Sequence, residues 1–400
     1  MGVLKDKNII LGVTGSIAAY KAADLCSSLK KDGANVTVIM TENALNFINP
    51  ITFETLTGNR CIVNTFDRNF EYKVEHVELA KEADIMMIAP ATANIIAKAA
   101  CGIADDMLST TILSVTAKKL FAPAMNTRMY ENPATQANLE TLRERGALII
   151  EPASGYLACG DEGKGKLPAV SDLREALIYE LTPKDMEGLN VIVSAGPTRE
   201  PIDPVRFISN HSTGKMGYAI ARIAARRGAQ VTLVSGETAL ETPYGVERVG
   251  IVSAADMARE IKARADKADI VVKAAAVADY TPLSYSDEKI KKKDGEMSIE
   301  LKRTEDILAS LGAKKSGKQI ICGFSMETEN MLENSRAKLK KKNADIIVAN
   351  NLKVEGAGFG TDTNIVTLIT EDKVTELPKM DKDEVAGKLL DEILCLRNKK

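Results

Sequence analysis

Short runs of β-branched and aliphatic residues recur along the chain, separated by amphipathic stretches, and this alternation constrains the fold most. The first half offers Asn8–Val13, Asn35–Met40, Ile85–Ala89, Leu120–Ala122 and Ala147–Glu151 as strands. The second offers Asn190–Ala195, Gln230–Ser235, Ile270–Val277, Gln319–Phe324 and Asp345–Ala349. Many are continuous apolar runs, as strands buried on both faces require. Helical patterns such as Ile17–Lys31 and Met216–Arg227 lie between several of them. Strand–helix–strand succession implies right-handed crossovers, so the expected class is α/β with parallel sheets.

The alternation breaks near Leu181–Gly188, which carries Pro183, and restarts at Asn190-Val-Ile-Val. With 400 residues, the chain suits two domains, 1–185 and 186–400. In the second, Tyr280–Lys302 is too polar for a sheet interior and reads as a loop or flap. Thr363–Thr370 and Lys373–Leu377 read as a hairpin, and Lys382–Leu396 as a final helix.

Composition excludes several function classes. Hydrophobic residues at 45% and charged ones at 27% support a large core rather than a disordered chain. Lys+Arg 53 against Asp+Glu 55 leaves −2, so nucleic acid and anionic membranes exert no global attraction. Tryptophan is absent and aromatics are 4%, which disfavours base-stacking platforms. No apolar run approaches a membrane span, and the first residues are too polar for a signal peptide, so a cytoplasmic location is expected. The six cysteines are scattered without C-x-x-C, and there are two histidines. That argues against a disulfide framework, a structural zinc site or a His-rich metal centre.

Three loops in the first half sit where ligands bind in open parallel sheets, beyond the carboxyl ends of strands. Gly12-Val-Thr-Gly15-Ser16-Ile17 leads into a helix, whose N-terminus favours an anion. A plain tight turn reads equally well, since neither G-x-G-x-x-G nor a Walker A loop is present. Ala89-Pro-Ala-Thr92-Ala-Asn94 and Ala122-Pro-Ala-Met-Asn126 follow two further strands. Together they suit a flat polar ligand held by amides. His76 reads locally as a surface-helix histidine. Cys159 lies in a glycine-rich segment unsuited to core packing, so it reads either as incidental or as a nucleophile or proton donor.

In the second half, Ser194–Gly217 is a long polar run with three prolines, longer than an idle connection needs to be. Ser212, Thr213, Gly214 and Lys215 at its end offer an anion site. Ala274-Ala275-Ala276-Val277-Ala278-Asp279 lets a ligand lie on the backbone, with Asp279 accepting from a ribose or a base amine. Lys291–Lys293 reads as solvated loop. Lys338 and Lys342 share a helix face, at the surface or reaching a polyphosphate.

Gly15-Ser-Ile-Ala-Ala-Tyr-Lys21, Ala89–Asn94, Gly102-Ile-Ala-Asp-Asp-Met-Leu-Ser109, Ala122–Asn126 and Ala153-Ser-Gly-Tyr-Leu-Ala-Cys-Gly160 occur in this order. The set resembles the flavin-containing cysteine decarboxylases, in particular phosphopantothenoylcysteine decarboxylases. The second-half segments resemble the phosphopantothenate–cysteine ligases fused to them in many prokaryotes. The resemblance implies two Rossmann-like domains, the first flavodoxin-like. It implies FMN on Gly15, Ser16, Ile17, Thr41, Thr92, Asn94 and Ser109. It makes His76 and Asn126 active-site residues and Cys159 the proton donor on a flexible clamp. It implies CTP on Ala274, Ala275, Ala276, Asp279, Lys289, Glu305, Asp306, Ile307, Leu308, Phe324, Lys338 and Lys342. Lys289 then neutralises the triphosphate, Asn210 steadies an acyl-cytidylate, and Mg2+ is held mainly by CTP phosphates. Arg206, Ser212, Thr213, Gly214 and Lys215 are expected at the substrate, 4'-phosphopantothenate or L-cysteine. A homo-oligomer is implied, with trimeric decarboxylase contacts and dimeric ligase contacts, up to a dodecamer.

The chemistry is coherent. Losing CO2 from an N-acylcysteine leaves an unstabilised carbanion, whereas prior oxidation of the thiol to a thioaldehyde gives it a C=S group to delocalise into. A carboxylate becomes an acyl donor once its oxygen is part of a phosphate anhydride. Departures from the family pattern are Lys166 for arginine and Ala169 for glutamate in the clamp. In the ligase half, Thr213 replaces serine, Thr281 arginine and Glu305 proline. Two rival readings exist. Tyr285-x-x-x-Lys289 imitates a short-chain dehydrogenase pair, though the glycine-rich turn is missing. A flavin-binding regulatory or interaction protein would share the first scaffold, but would not need Cys159 or Asn126.

Overall fold

In the computed structural model, which describes residues 2–66, 75–156, 160–291, 297–327, 330–351 and 360–400, the chain divides into Met1–Thr182 and Pro183–Lys400. In the first unit, β1 (Asn8–Val13) pairs in parallel with β2 (Asn35–Met40) and β3 (Ile85–Ala91). β4 (Lys118–Pro123) and the two-residue β5 (Leu148–Ile149) complete a parallel sheet of order β2-β1-β3-β4-β5. This is the flavodoxin-like order, with its switch point between β1 and β3.

The continuous apolar runs are explained by burial on both faces. Leu11, Val13 and Met87 pack with Leu25, Leu29 and Leu177 on one side. Ile10, Met86 and Ile88 pack with Ile95, Leu108 and Leu139 on the other. The expected helix Ile17–Lys31 begins as a 3-10 turn, Ile17–Ala19, before the α-helix Tyr20–Lys31. The expected strand Ala147–Glu151 is shorter at both ends. Ala147 N–H is taken by Leu142 O of the preceding helix, and β5 pairs only with β4.

The main sheet of the second unit has eight strands among the described residues. β6 (Asn190–Ala195), β7 (Gln230–Ser235), β8 (Val246–Gly250), β9 (Ile270–Lys273), β10 (Ile320–Glu327) and β11 (Ile346–Asn351) are parallel. β12 (Val366–Ile369) and β13 (Val374–Glu376) add an antiparallel edge, giving the order β8-β7-β6-β9-β10-β11-β12-β13. These last two form the expected hairpin, whereas Thr363–Asn364 pairs with Met380–Asp381 instead. The final helix runs from Lys382 to Lys399.

The main correction concerns Ile270–Val277, which leaves the sheet at Lys273. Ala275 N–H donates to Ser194 Oγ at 3.2 Å, Ala276 N–H to Gly196 O at 3.0 Å, and Ala278 N–H to Thr198 Oγ1 at 3.0 Å. The loop after β6 thus competes with the sheet for these amides and folds the small residues into a ligand-facing turn. Tyr280–Pro282 and Leu301–Arg303 pair as a separate antiparallel ribbon, consistent with a flap outside the main sheet. Among the described residues, no helix is long and apolar enough to cross a membrane.

Candidate functional site

The first crevice forms where β1, β3 and β4 end. Thr14 joins two of its loops, donating to Pro90 O at 2.7 Å and accepting from Thr92 N–H at 3.1 Å. Ser16 caps the 3-10 turn by accepting from Ala18 N–H, and Thr92 caps the helix Ala93–Cys101. Asn126 caps Thr127–Glu131, its Oδ1 accepting from Arg128 N–H at 2.9 Å while its Nδ2 donates to Asp161 at 3.0 Å. Its amide N–H therefore already holds a carboxylate.

These loops enclose a cavity of about 420 Å³. Gly15, Ser16, Ile17, Thr92 and Asn126 line it as expected, together with Lys21, Met129, Tyr156 and Lys166. Tyr156 and Lys166 arrive on the ribbon Ala153–Tyr156/Glu162–Lys166. Met125 N–H donates to Gly165 O at 3.0 Å and seats that ribbon on the Ala122–Asn126 loop. Lys21 lies beside Lys166, and burial with that neighbouring cation pulls its amine below the usual lysine range.

Gly165 permits this seat because its φ is +145° and a Cβ there would lie 2.3 Å from Met125 O. Gly155, at φ +144°, has open space around it. Gly165→Val is expected to unseat the ribbon and lower the decarboxylation that the resemblance implies for this unit about tenfold or more, with the amide formation implied for the other unit unchanged. Separate assays of the two half-reactions check this, and an unaltered decarboxylation rate would refute it.

Several expected residues lie elsewhere. Thr41, Asn94 and Ser109 do not line this cavity. Thr41 Oγ1 is buried and makes no hydrogen bond among the described residues. Ser109 closes a capping box with Asp106 and lines a neighbouring cavity. His76 lies half-buried in the first turn of Glu75–Glu82, away from the Gly15 cavity. Cys159 falls outside the described residues.

The second crevice, about 530 Å³, opens beyond β9 and β10. Ala275, Asp279, Glu305, Asp306, Ile307, Leu308, Phe324, Lys338 and Lys342 line it, as the sequence suggests. Asp306 caps the helix Ile307–Lys314 by accepting from Ala309 N–H, and it pairs with Lys342. These bonds hold its carboxyl below the usual carboxylate range, against the opposing effect of burial. Glu305 is likewise lowered, chiefly by its bond to Lys262. Lys338 donates to Phe324 O and Ser325 Oγ, both at 3.4 Å.

Ala274 and Ala276 belong to the turn but are not lining residues. Asn210 reaches that turn, with Nδ2 donating to Ala276 O at 3.1 Å. Ser212 Oγ accepts from Gly214 N–H, and Gly214 precedes the helix Lys215–Arg226 with φ +80°. A side chain at Gly214 would crowd Gly196 N at 3.2 Å. Thr213 is exposed on this loop, while Lys215 pairs with Asp362.

Lys289 is exposed and does not line the cavity. Its neighbour is anchored: Ile290 N–H donates to Asp203 at 3.2 Å, and Arg206 Nη2 donates to Ile290 O at 2.9 Å. Arg206, expected at the substrate, thus ties the flap to Asp203. Its guanidinium and three backbone N–H groups hold the Asp203 carboxyl far below the usual range. A lowered carboxyl stabilises the native state above the unfolded value, about pH 4, and that contribution is lost as pH falls. Asp203→Asn is expected to flatten this acid limb in melting experiments and to slow the ligation that the resemblance implies for this unit about tenfold by loosening the flap. Unchanged ligation would sink the anchoring role. Tyr285 and Lys289 lie in irregular chain, so the dehydrogenase-like spacing does not place them on one helix face. Among the described residues, no cluster of three or more His, Cys, Asp or Glu side chains is arranged to hold a metal.

Residues 2–182 match the family model described as Flavoprotein, and residues 186–396 that described as DNA/pantothenate metabolism flavoprotein C-terminal domain. The coenzyme A biosynthesis bifunctional protein CoaBC of Bacillus subtilis is 49% identical, covering 98% of each chain. The Escherichia coli K12 protein of that name is 43% identical over 99% of each. The chain belongs to the CoaBC family. A crystal structure of the C-terminal domain of a CoaBC protein, 43% identical, covers 54% of this chain and 100% of its own, with TM-score 0.47.

For a CoaBC member, the pattern of correspondences has a simple cause. The lining residues found from sequence sit on motif loops at strand ends. Lys21, Met129 and Tyr156 were missed because they reach the first cavity from a helix face and a separate ribbon. Lys273, Arg303 and Thr304 were missed in the second. Lys273 had a usable signal, as the one charged residue in the run Ile270-Val-Val-Lys273.

Proposed function

We propose that this enzyme joins 4'-phosphopantothenate to L-cysteine with CTP in its second unit and decarboxylates the product to 4'-phosphopantetheine with FMN in its first. The observation that carries this reading is the pairing of two crevices in one chain. One sets an amide donor, Asn126, against a carboxylate, and the other gathers Arg303, Lys338 and Lys342 around exposed Asp279.

The first crevice fits FMN. Thr41 Oγ1 is a buried hydroxyl without a partner among the described residues, and Gly15 approaches Asn43 so closely that a Cβ would lie 2.8 Å from the Asn43 side chain. Exposed Ile17 and Met129 offer an apolar platform. FMN bound there supplies a two-electron acceptor for the thiol-bearing carbon and a hydride for its return. Asn126 N–H groups hold the departing carboxylate, Lys21 and Lys166 suit the substrate phosphate, and Cys159 Sγ returns the final proton. His76, an active-site residue by the resemblance, does not line this cavity, and contact between copies of the chain is the route by which it would join the site. Exposed Ile17, Tyr20 and Tyr156 support such a covered surface in a homo-oligomer.

In the second crevice, the substrate carboxylate displaces pyrophosphate from the α-phosphorus of CTP. The cysteine amine then attacks the acyl-cytidylate and releases CMP. Lys338, Lys342 and Arg303 offset phosphate charge, with Mg2+ carried by the nucleotide, and Asn210 N–H stabilises the acyl oxygen. Location in the cytoplasm belongs to the same reading.

A mass-spectrometric time course with 4'-phosphopantothenate, cysteine, CTP and Mg2+ tests it. Phosphopantothenoylcysteine followed by phosphopantetheine is the expected result. No product, with ATP or GTP in place of CTP as well, would overturn the ligase reading and favour a flavin-binding interaction protein. Accumulation of the acylcysteine alone would overturn the decarboxylase half.

A further inference from the structure

Lys273 ends the central strand β9 after three buried aliphatic residues. Register sets it between Ser194 of β6 and Gly323 of β10, and it is 8% exposed. Its Nζ lies 3.3 Å from Met257 Sδ, a weak acceptor, and among the described residues no carboxylate is within ion-pair distance. Yet the side chain lines the second cavity with Asp279, Asp306, Lys338 and Lys342. A buried amine without a good acceptor is costly to a fold, and a methionine or leucine would pack the same space more cheaply. Its position is accounted for if the missing acceptor arrives with the ligand.

We propose that Lys273 is a further ligand-binding residue of this pocket, its amine donating to an anionic oxygen of the bound nucleotide. This rests on the nucleotide reading above.

The surroundings agree. Burial pushes the Lys273 amine down to about 7, with Asp306 pulling weakly the other way. The helix Ile307–Lys314 and its lead-in present Asp306 and Glu305, the turn presents Asp279, and the ribbon presents Arg303 and Tyr280. The helix Met331–Lys341 and its C-cap present Lys338 and Lys342. Glu305 is paired with Lys262 and Asp306 with Lys342, so neither neutralises Lys273. Burial therefore favours the uncharged amine in the free pocket. A triphosphate brings several negative charges into a site of low dielectric, which favours the ammonium form. Binding then draws one proton from solvent.

Calorimetric titration of the full chain with Mg–CTP at pH 8, in two buffers of different ionisation enthalpy, counts that proton. The wild type is expected to take up close to one more proton per nucleotide than Lys273→Met. The variant should bind CTP about tenfold more weakly, the usual scale for losing a charged hydrogen bond. Wild-type affinity should weaken between pH 7 and 9, and that of the variant should stay flat. Lys273→Gln, which keeps a donor that cannot titrate, should lose the proton uptake while keeping part of the affinity. Because methionine removes the buried amine, the Met variant should melt no lower than the wild type at pH 8. Equal proton uptake by wild type and Lys273→Met, whatever the affinity, would overturn the role of Lys273 alone. A wild type that binds no nucleoside triphosphate would overturn the nucleotide reading and this inference with it.

Discussion

Asn126→Asp is expected to abolish decarboxylation and leave ligation intact. The substitution is nearly isosteric, and aspartate caps helices as well as asparagine does, so the turn Thr127–Glu131 keeps its cap. What changes is the donor. Nδ2 of Asn126 gives a hydrogen bond to the Asp161 carboxylate at 3.0 Å, and a carboxylate at residue 126 would instead face another carboxylate. The substrate's departing carboxylate would meet the same repulsion. Removing one preorganised donor commonly costs about 10²–10³ in turnover, and a like charge in its place adds to that. A loss of roughly 10³-fold or more in CO2 release is expected. Synthesised phosphopantothenoylcysteine, supplied directly, reports this step alone, while amide formation from CTP reports the second unit. Visible absorbance of the bound flavin separates lost chemistry from lost cofactor. Decarboxylation within a few-fold of wild type would remove Asn126 from the reaction.

The sequence revealed those parts of the fold whose residues obey one local rule. β1, β2, β6 and β7 begin and end where their apolar runs do, since both sheet faces are covered and nothing competes for their amides. Ile270–Val277 obeys two rules at once. Its aliphatic start belongs to the sheet, but its alanines are drawn off by Ser194, Gly196 and Thr198, distant in sequence. β8 went unseen because Val246–Gly250 is a partly exposed edge strand with charged residues at its centre. The crevices were legible through the loops that follow strands. The helix and ribbon residues that close them were not, because no local pattern shows which face of Tyr20–Lys31 or which end of a ribbon meets a distant loop. Arg206 was expected at the substrate from the family resemblance. Its bond to Asp203 is local, but its bond to the flap at Ile290 emerges only when residues more than eighty positions apart are brought together.

Asn210→Asp is expected to lose amide formation while CTP binding survives. Asn210 leaves the helix-bound loop and donates to Ala276 O at 3.1 Å, at the turn that follows β9. One of its two amide hydrogens thus fixes the side chain against the backbone, and the amide group has a second to offer a ligand. An aspartate has neither. It would set a negative oxygen against the Ala276 carbonyl and against the phosphate-bearing acyl group of an activated intermediate. The cations expected at the triphosphate, Lys338, Lys342 and Arg303, come from other elements, so nucleotide affinity should change little. Ligation should fall about 10²–10³-fold, the range for one lost donor at a charge-developing oxygen. Pyrophosphate release measured without cysteine locates the defect. If Asn210 stabilises the charge that develops on the acyl oxygen as the cysteine amine attacks, pyrophosphate is still released and only the amide is missing. If release fails together with amide formation although CTP still binds, the residue acts on the substrate carboxylate during activation instead. Unchanged ligation would show that the bond to Ala276 is structural and that the activated acyl group is held by other residues.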